Sequence, residues 1–300
     1  MFIVNHRWIF FWITGLMLAA AIAAIAFYGL PLSIDFSGGS LIEVAYDGAR
    51  PDVTALRERV SAVPLGEISL RESGERGVIV RTRTLSAEEH DAIIAALSPD
   101  GTELHELRFS SIGPSLGNEL SRKALVALFA VVLAIVLYIA WAFRKVSHPV
   151  PSWGYGLTVV AMLAIDIIVP TGFYAVYAHF TGAEVDALFV VALLALLGYC
   201  VNDVIVIFDR VREHLSRNDK TGVNEPFEET VGKSITETMG RSINTSLTVV
   251  LALCALIFLG AEATQNFAIV MLVGVIAGTF SSICRSAPLL IPLARWFKKA

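Results

Sequence analysis

The chain has 300 residues, 55% of them hydrophobic and 17% charged, with a formal net charge of −4 and a mean hydropathy of +0.67. A soluble chain of this length carries nearer a quarter charged residues. The apolar residues come in blocks of about twenty, the length that crosses a hydrocarbon core, which excludes a soluble globular fold and predicts a multi-pass membrane protein.

The first apolar run is Trp8 to Leu30, closed by Pro31. Its AAAIAAIA stretch has small residues at cleavage-like spacing, but the run is too long for a signal-peptide core and little positive charge precedes it beyond Arg7. It is read as a retained anchor, residues 1–31.

Residues 32–122 are the one stretch long enough to fold in water. LIEVAY alternates as a strand does, and PDVTALRERV follows as a helix with Val53, Leu56 and Val60 at helical spacing. GEISL and GVIVRTR are strand-like, joined through ESGER. SAEEHDAIIAAL opens on a capping box of Ser86 and Glu89 and carries Ile93, Ile94 and Leu97 on one face. ELHELRF closes as a strand. The order β-α-β-β-α-β predicts an α+β, ferredoxin-like domain, a fold that sets no function by itself. His90 and His105 have no metal-ligand spacing, so no metal is expected.

Residues 123–300 hold the remaining spans, Ala124–Phe143, Trp153–Tyr177, Asp186–Phe208, Arg241–Leu259 and Phe267–Leu293, with a loop over about 211–239. Arg144 and Lys145 follow the second span, and Arg210, Arg212, Arg217, Lys220 and Lys233 lie between the fourth and fifth. Arg295, Lys298 and Lys299 follow the sixth. The short opposite loops, 178–185 and 260–266, have no Lys or Arg. The positive-inside rule then places both termini in the cytoplasm and the folded domain outside. Cys200, Cys254 and Cys284 all lie in apolar runs and read as packing residues rather than a disulfide framework.

Polar groups interrupt four spans: Asp166, the Asn202-Asp203 pair, Arg241 and Arg285. At 1.5 Å per residue from the outer end of each span, Asp203 and Arg241 lie roughly 26 and 29 Å deep, one layer within error. Asp166 comes out near ~20 Å and Arg285 near ~32 Å on that scale. Asp203 and Arg241 could therefore meet across two consecutive helices, in the inner half of the bilayer. Arg241, Asn244, Thr245 and Thr248 share one helical face and form a polar seam suited to a packed or hydrated interhelical path. A structural ion pair and a proton or ion path both fit these residues, as does an Arg241 that snorkels to the surface. For Arg285 snorkelling is the expected reading. Gly274 and Gly278, spaced as GxxxG, support close helix packing. No phosphate loop, HExxH or GxSxG is present, so neither an ATPase nor another enzyme is expected.

Five stretches together resemble the SecF family of bacterial protein-translocase subunits, part of the RND superfamily. IDFSGGS at 34–40 is similar to the start of the family's periplasmic domain and SIGPSLGNEL at 111–120 to its end. GYCVNDVIVIFDRVRE at 198–213, GRSINTSLTVV at 240–250 and FAIVMLVGVIAGTFSSICRSAPLL at 267–290 are similar to the last three spans. The resemblance implies a six-span, RND-like protein of the bacterial inner membrane. Its implied partners are SecD and the SecYEG channel, with YidC a further candidate. Unfolded preprotein would be met on the periplasmic side. Lipid surrounds the spans, and no nucleic acid or cofactor is implied. Protons serve as the coupling ion. In the family, the residues matching Asp203 and Arg241 are tied to proton movement. Asn202 belongs to the same motif, and a third-span aspartate matching Asp166 is usual. Cys200, Val204 and Gly240 replace commoner hydroxyl residues, and Arg285-Ser286 departs from apolar and small ones.

A nearby cation favours an ionised carboxylate and a dry site a protonated one, so helix movements that alternate the two would exchange protons. The rival readings are a scaffold subunit with a structural ion pair and one half of an RND-type exporter. An intramembrane aspartyl protease using Asp166 and Asp203 lacks the expected G-x-G-D context, since Val201-Asn202 precedes Asp203.

Overall fold

The structure, a computed structural model, describes residues 1–98, 102–144 and 149–297. Lys145, Lys298 and Lys299 lie outside the described residues. The chain divides into two compact units, Leu32–Leu125 and a helical unit of Met1–Pro31 with Val126–Ala300. A single turn, α1 (Phe2–Asn5), leads into α2 (Arg7–Tyr28), the first long apolar helix.

The smaller unit begins with α3 (Ile34–Ser37), capped by Ser33, whose Oγ accepts from Asp35 N at 3.1 Å. Gly38 and Gly39 follow with φ of 74° and 122°, values that L side chains rarely adopt. A Cβ on Gly38 would lie 2.8 Å from Pro114 Cα, and one on Gly39 2.6 Å from Thr82 O. IDFSGGS and SIGPSLGNEL therefore meet backbone to backbone, and Gly39 pairs with Ile112 across the sheet.

The strands are β1 (Gly39–Tyr46), β2 (Ser69–Ser73), β3 (Gly77–Thr82) and β4 (Leu104–Ile112). They pair antiparallel in the order β2-β3-β1-β4, with β2 and β4 at the edges. The helices between them are α4 (Val53–Ser61) and α5 (Ala87–Leu97). This is the split βαβ arrangement. Alternation sends Ile42, Val44, Val78 and Val80 to one face, where Leu56, Val60, Ile93 and Leu97 complete a buried core. Tyr46 joins it and donates its hydroxyl to Leu97 O at 2.7 Å.

The capping box at α5 is formed: Glu89 N donates to Ser86 Oγ at 3.3 Å and Ser86 N to Glu89 Oε2 at 2.9 Å. A hydrogen bond from Arg83, aided by that backbone contact, holds the Glu89 carboxyl down at about 2. Since the folded value lies below the ordinary 4.5, its contribution to stability is present above pH 4.5 and lost as pH falls through about 2. Residues 32–122 expressed alone are expected to fold, and Ser86→Ala to destabilise them by about 1 kcal/mol in urea melts at neutral pH. An unchanged midpoint would show that the cap contributes nothing there.

In the helical unit, α6 (Pro114–Ala142), α7 (Ser152–Thr181), α8 (Ala187–Thr221) and α9 (Phe227–Leu259) are each long and apolar enough to cross a membrane. So is the last helical stretch, formed by α10 (Glu262–Ser281), a π-helical turn (Ser282–Ser286) and α11 (Ala287–Phe297). With α2 these make the six expected spans. The core joins α7, α8, α9 and α11 through Tyr155, Leu163, Leu197, Ile207, Ile235 and Leu290. Glycines set the closest approaches: a Cβ on Gly172 would fall 2.4 Å from Ala21 Cα, and one on Gly274 2.3 Å from Leu196 Cδ2.

One sequence expectation is corrected. The segment 211–239 is not a loop: only residues 222–226 lie outside α8 and α9. Ion pairs one turn apart, Asp209–Arg212 and Arg210–Glu213 at 2.5 Å and Glu213–Arg217 at 3.0 Å, support the helix beyond its apolar part.

Candidate proton site in the helical bundle

Five elements, α7, α8, α9, α10 and the π-helical turn, converge on two buried carboxylates. Asp166, 2% exposed, comes from the middle of α7, and Asp203, 5% exposed, from α8. Ser281 ends α10 and Ser282 opens the π-helical turn; the first faces Asp166 and the second Asp203. π-Helical turns widen a helix locally and recur at functional sites. Gly278 lets α10 close on this point, because a Cβ there would lie 2.3 Å from Cys200 Sγ and 3.9 Å from Asp166 Oδ1. The GxxxG pair thus packs against α8, Gly274 on Leu196 and Gly278 on Cys200.

Around Asp166 stand Arg285, Cys200 and Ser281. Around Asp203 stand Ser242, Arg241 and Ser282. Cys200 lies near both carboxylates, but neither carboxylate acts on the other, so they do not form the dyad an aspartyl protease would require. Asp166 Oδ1, Asp203 Oδ2 and Ser242 Oγ are buried without a hydrogen-bond partner. Such groups are costly in a bilayer interior and mark functional positions.

Three expectations from sequence are corrected here. Asp203 and Arg241 occupy one level, but they form no ion pair at contact distance; Arg241 is exposed on this chain and acts on Asp203 only through its field. Hydropathy could not show that a one-residue turn of α9 puts Ser242, rather than Arg241, against the carboxylate. Second, the seam faces outward: Asn202, Asn244 and Thr248 are exposed and Thr245 is half-buried. Thr245 and Thr248 donate to carbonyls of their own helix, Arg241 O at 2.9 Å and Thr245 O at 2.7 Å. Third, Arg285 does not snorkel to the surface. It is 8% exposed, and Asp166 is the charge that faces it.

Sequence reasoning also missed a half-buried hydroxyl cluster beside Asp203, in which Tyr199 donates to Ser246 Oγ at 2.8 Å and Ser246 bonds Thr279 at 2.6 Å. The spacing of Ser242 and Ser246 on α9 was its only signal. Where α8 and α9 emerge from their apolar parts, Glu237 takes hydrogen bonds from Arg210 and from His214, the latter at 3.1 Å.

Six apolar helices, one inserted βαββαβ domain and unpartnered carboxylates inside the bundle define a polytopic membrane protein of the transport class. Residues 93–296 match the family described as protein export membrane protein SecD/SecF, C-terminal, and residues 23–49 match the SecD/SecF GG motif. The latter contains Gly38-Gly39, of which Gly38 closes on Pro114 of α6 and Gly39 on Thr82 of β3. Protein translocase subunit SecF of Thermobaculum terrenum is 33% identical over 96% of this chain and 92% of its own. The subunit of the same name from Anaerolinea thermophila is 33% identical over 99% and 97%. The crystal structure of SecDF, a translocon-associated membrane protein from Thermus thermophilus, superposes with a TM-score of 0.81 at 29% identity. It covers 96% of this chain, which corresponds to 38% of that longer one. The chain belongs to the SecD/SecF family of protein-export membrane proteins, on its SecF side.

Proposed function

We propose that this chain works with a SecD-type partner and the SecYEG channel to let the proton motive force promote export of unfolded preproteins. Asp203 is its proton-binding group, and the reading rests on one observation above others: a buried carboxylate inside the bundle, facing Ser242, with one oxygen that lacks a donor at hydrogen-bond geometry among the described residues. One charge crossing 100 mV is worth about 2.3 kcal/mol, enough to bias a domain movement though not to pull a folded protein through a pore. The outward polar face of Arg241, Asn244 and Thr248 supports a partner, because such a face is costly against lipid. A second RND-like half would cover it. The edges β2 and β4 supply backbone groups to which an extended chain can add as a strand.

The orientation follows from charge. Arg144, Arg212, Arg217, Lys220 and Arg295 gather at the end of the bundle that carries the termini, the cytoplasmic one on this reading. A cysteine at Glu184 is expected to react with an impermeant reagent from the periplasm and one at Asn218 only from the cytoplasm. The reverse pattern would overturn the topology. The function itself is tested in inverted vesicles holding the chain with its partner, where an imposed proton gradient should raise translocation above the ATP-driven level. The same increment in vesicles without the chain would refute the proposal.

A further inference from the structure

Hydroxyl residues recur at every fourth position of α9: Thr230, Ser234, Thr238, Ser242 and Ser246, all buried. The first four span about 18 Å, from the turn after α8 to the level of Asp203. Close helix packing explains small residues but not hydroxyls, since Gly or Ala would pack as well. Ser234 and Thr238 donate backwards, to Thr230 O at 2.7 Å and Ser234 O at 2.8 Å. Their protons are thus committed, and the lone pairs on their oxygens remain as acceptors. Ser242 breaks the pattern: its Oγ makes no bond to its own helix and instead faces the buried Asp203 carboxylate, whose Oδ2 has no donor at hydrogen-bond geometry among the described residues.

The two ends differ. At the far end Thr230 Oγ1 donates to Glu225 Oε2 at 3.3 Å, and Glu225 also takes Asn218 Nδ2 at 3.1 Å and a contact from Lys233. The Lys233 ammonium holds the Glu225 carboxyl below its ordinary range, so it stays ionised beside the aqueous turn 222–226. Beyond Asp203, Ser246 is consumed by Tyr199 and Thr279. The line of hydroxyls therefore runs from the charged turn to Asp203, and the next one, Ser246, is engaged elsewhere.

We propose that Thr230, Ser234, Thr238 and Ser242 line the route along which protons pass between Asp203 and the water at the end of the bundle bearing the termini. The inference rests on the proton-coupled reading of Asp203. Small movements of α8 from α9 admit a file of waters that donate to these hydroxyl oxygens. Protonated Asp203 gives its proton to the first water and becomes a carboxylate; the resulting hydronium passes a proton to the next water, and one proton leaves near Glu225. Asp203 regains a proton from the opposite side, so each cycle moves one proton and consumes no water. Val204, Ile207 and Val211 of α8 pack in one apolar core with Val231 and Ile235 of α9.

The test uses the full chain with its partner in vesicles whose outer face is the side bearing the termini. Cys200, Cys254 and Cys284 are replaced by Ala, and single cysteines are placed at Ser234, Thr238, Ser242 or Leu253, with a small cationic methanethiosulfonate as probe. Leu253 is buried on α9 beyond Ser246 and serves as control. The expected result is modification at Ser234, Thr238 and Ser242, severalfold slower with depth, and none at Leu253. In the otherwise native chain Thr238→Val should lose most of the gradient-dependent increment and Thr238→Ser should keep it. Unmodified cysteines at Thr238 and Ser242, with a full increment in Thr238→Val, would overturn the route. If Asp203→Asn still lost its gradient response, the proton reading would stand without this route. A full response in Asp203→Asn would remove both.

Discussion

Asp203→Asn is expected to assemble normally with its partner and to lose the whole gradient-dependent increment of translocation. Asn keeps the shape of the side chain and can still bond Ser242 Oγ, so folding should not suffer. What disappears is the group that binds and releases a proton. Early ATP-driven steps, supplied by other proteins, continue. The measurement is translocation in vesicles with and without an imposed gradient, with recovered partner as the assembly control. Arg241→Met should behave alike: Arg241 is exposed and has no ion pair among the described residues, so its loss leaves the fold intact while removing the cation that acts on Asp203. A scaffold role instead predicts that each single change costs assembly and that the double change restores it. A full gradient response from well-assembled Asp203→Asn would take Asp203 out of the proton path.

Arg285→Met should have the opposite character, a loss of stability before any loss of coupling. Arg285 and Asp166 are 8% and 2% exposed, and each is the principal charge that the other meets. No contact-distance bridge joins them, so each acts on the other through its field, and removing Arg285 leaves the buried carboxylate without its compensating charge and lowers stability. Replacing both by uncharged residues of similar size removes the penalty with the pair. Recovery from membranes and thermal unfolding in detergent should therefore fall for Arg285→Met and return toward the original in Asp166→Asn/Arg285→Met. If Arg285→Met were as stable as the original chain, Arg285 would not be the counter-charge of Asp166.

Much of the architecture was legible in the sequence because each feature had a local cause. Blocks of apolar residues long enough to cross a bilayer can do little else, and six of them became six helices. Alternation in LIEVAY, helical spacing at Leu56 and Val60, and the Ser86–Glu89 box each determine their own element, and together they order the split βαβ domain. Gly38 and Gly39 were legible only as a motif; the crossing with Pro114 and Thr82 explains why no side chain fits.

The electrostatic site was legible in its residues and not in its pairings. Asp166, Asp203, Arg241 and Arg285 stood out as charges in apolar runs, but depth along a helix axis does not say which way a side chain points. Helix α9 is polar on two faces, one through Arg241, Asn244 and Thr248 and one through Thr230, Ser234, Thr238 and Ser242. Hydrophobic periodicity cannot choose between them. Only the packing of α8 and α10, closed by Gly274 and Gly278, turned the hydroxyl face inward and left the arginine face out. The same packing carried Arg285, through the π-helical turn, to Asp166 rather than to the interface. The sequence by itself determined which charges enter the membrane, through composition and spacing. The tertiary structure decided which of them meet, because a rotation of one residue about a helix axis changes a partner without changing any local preference.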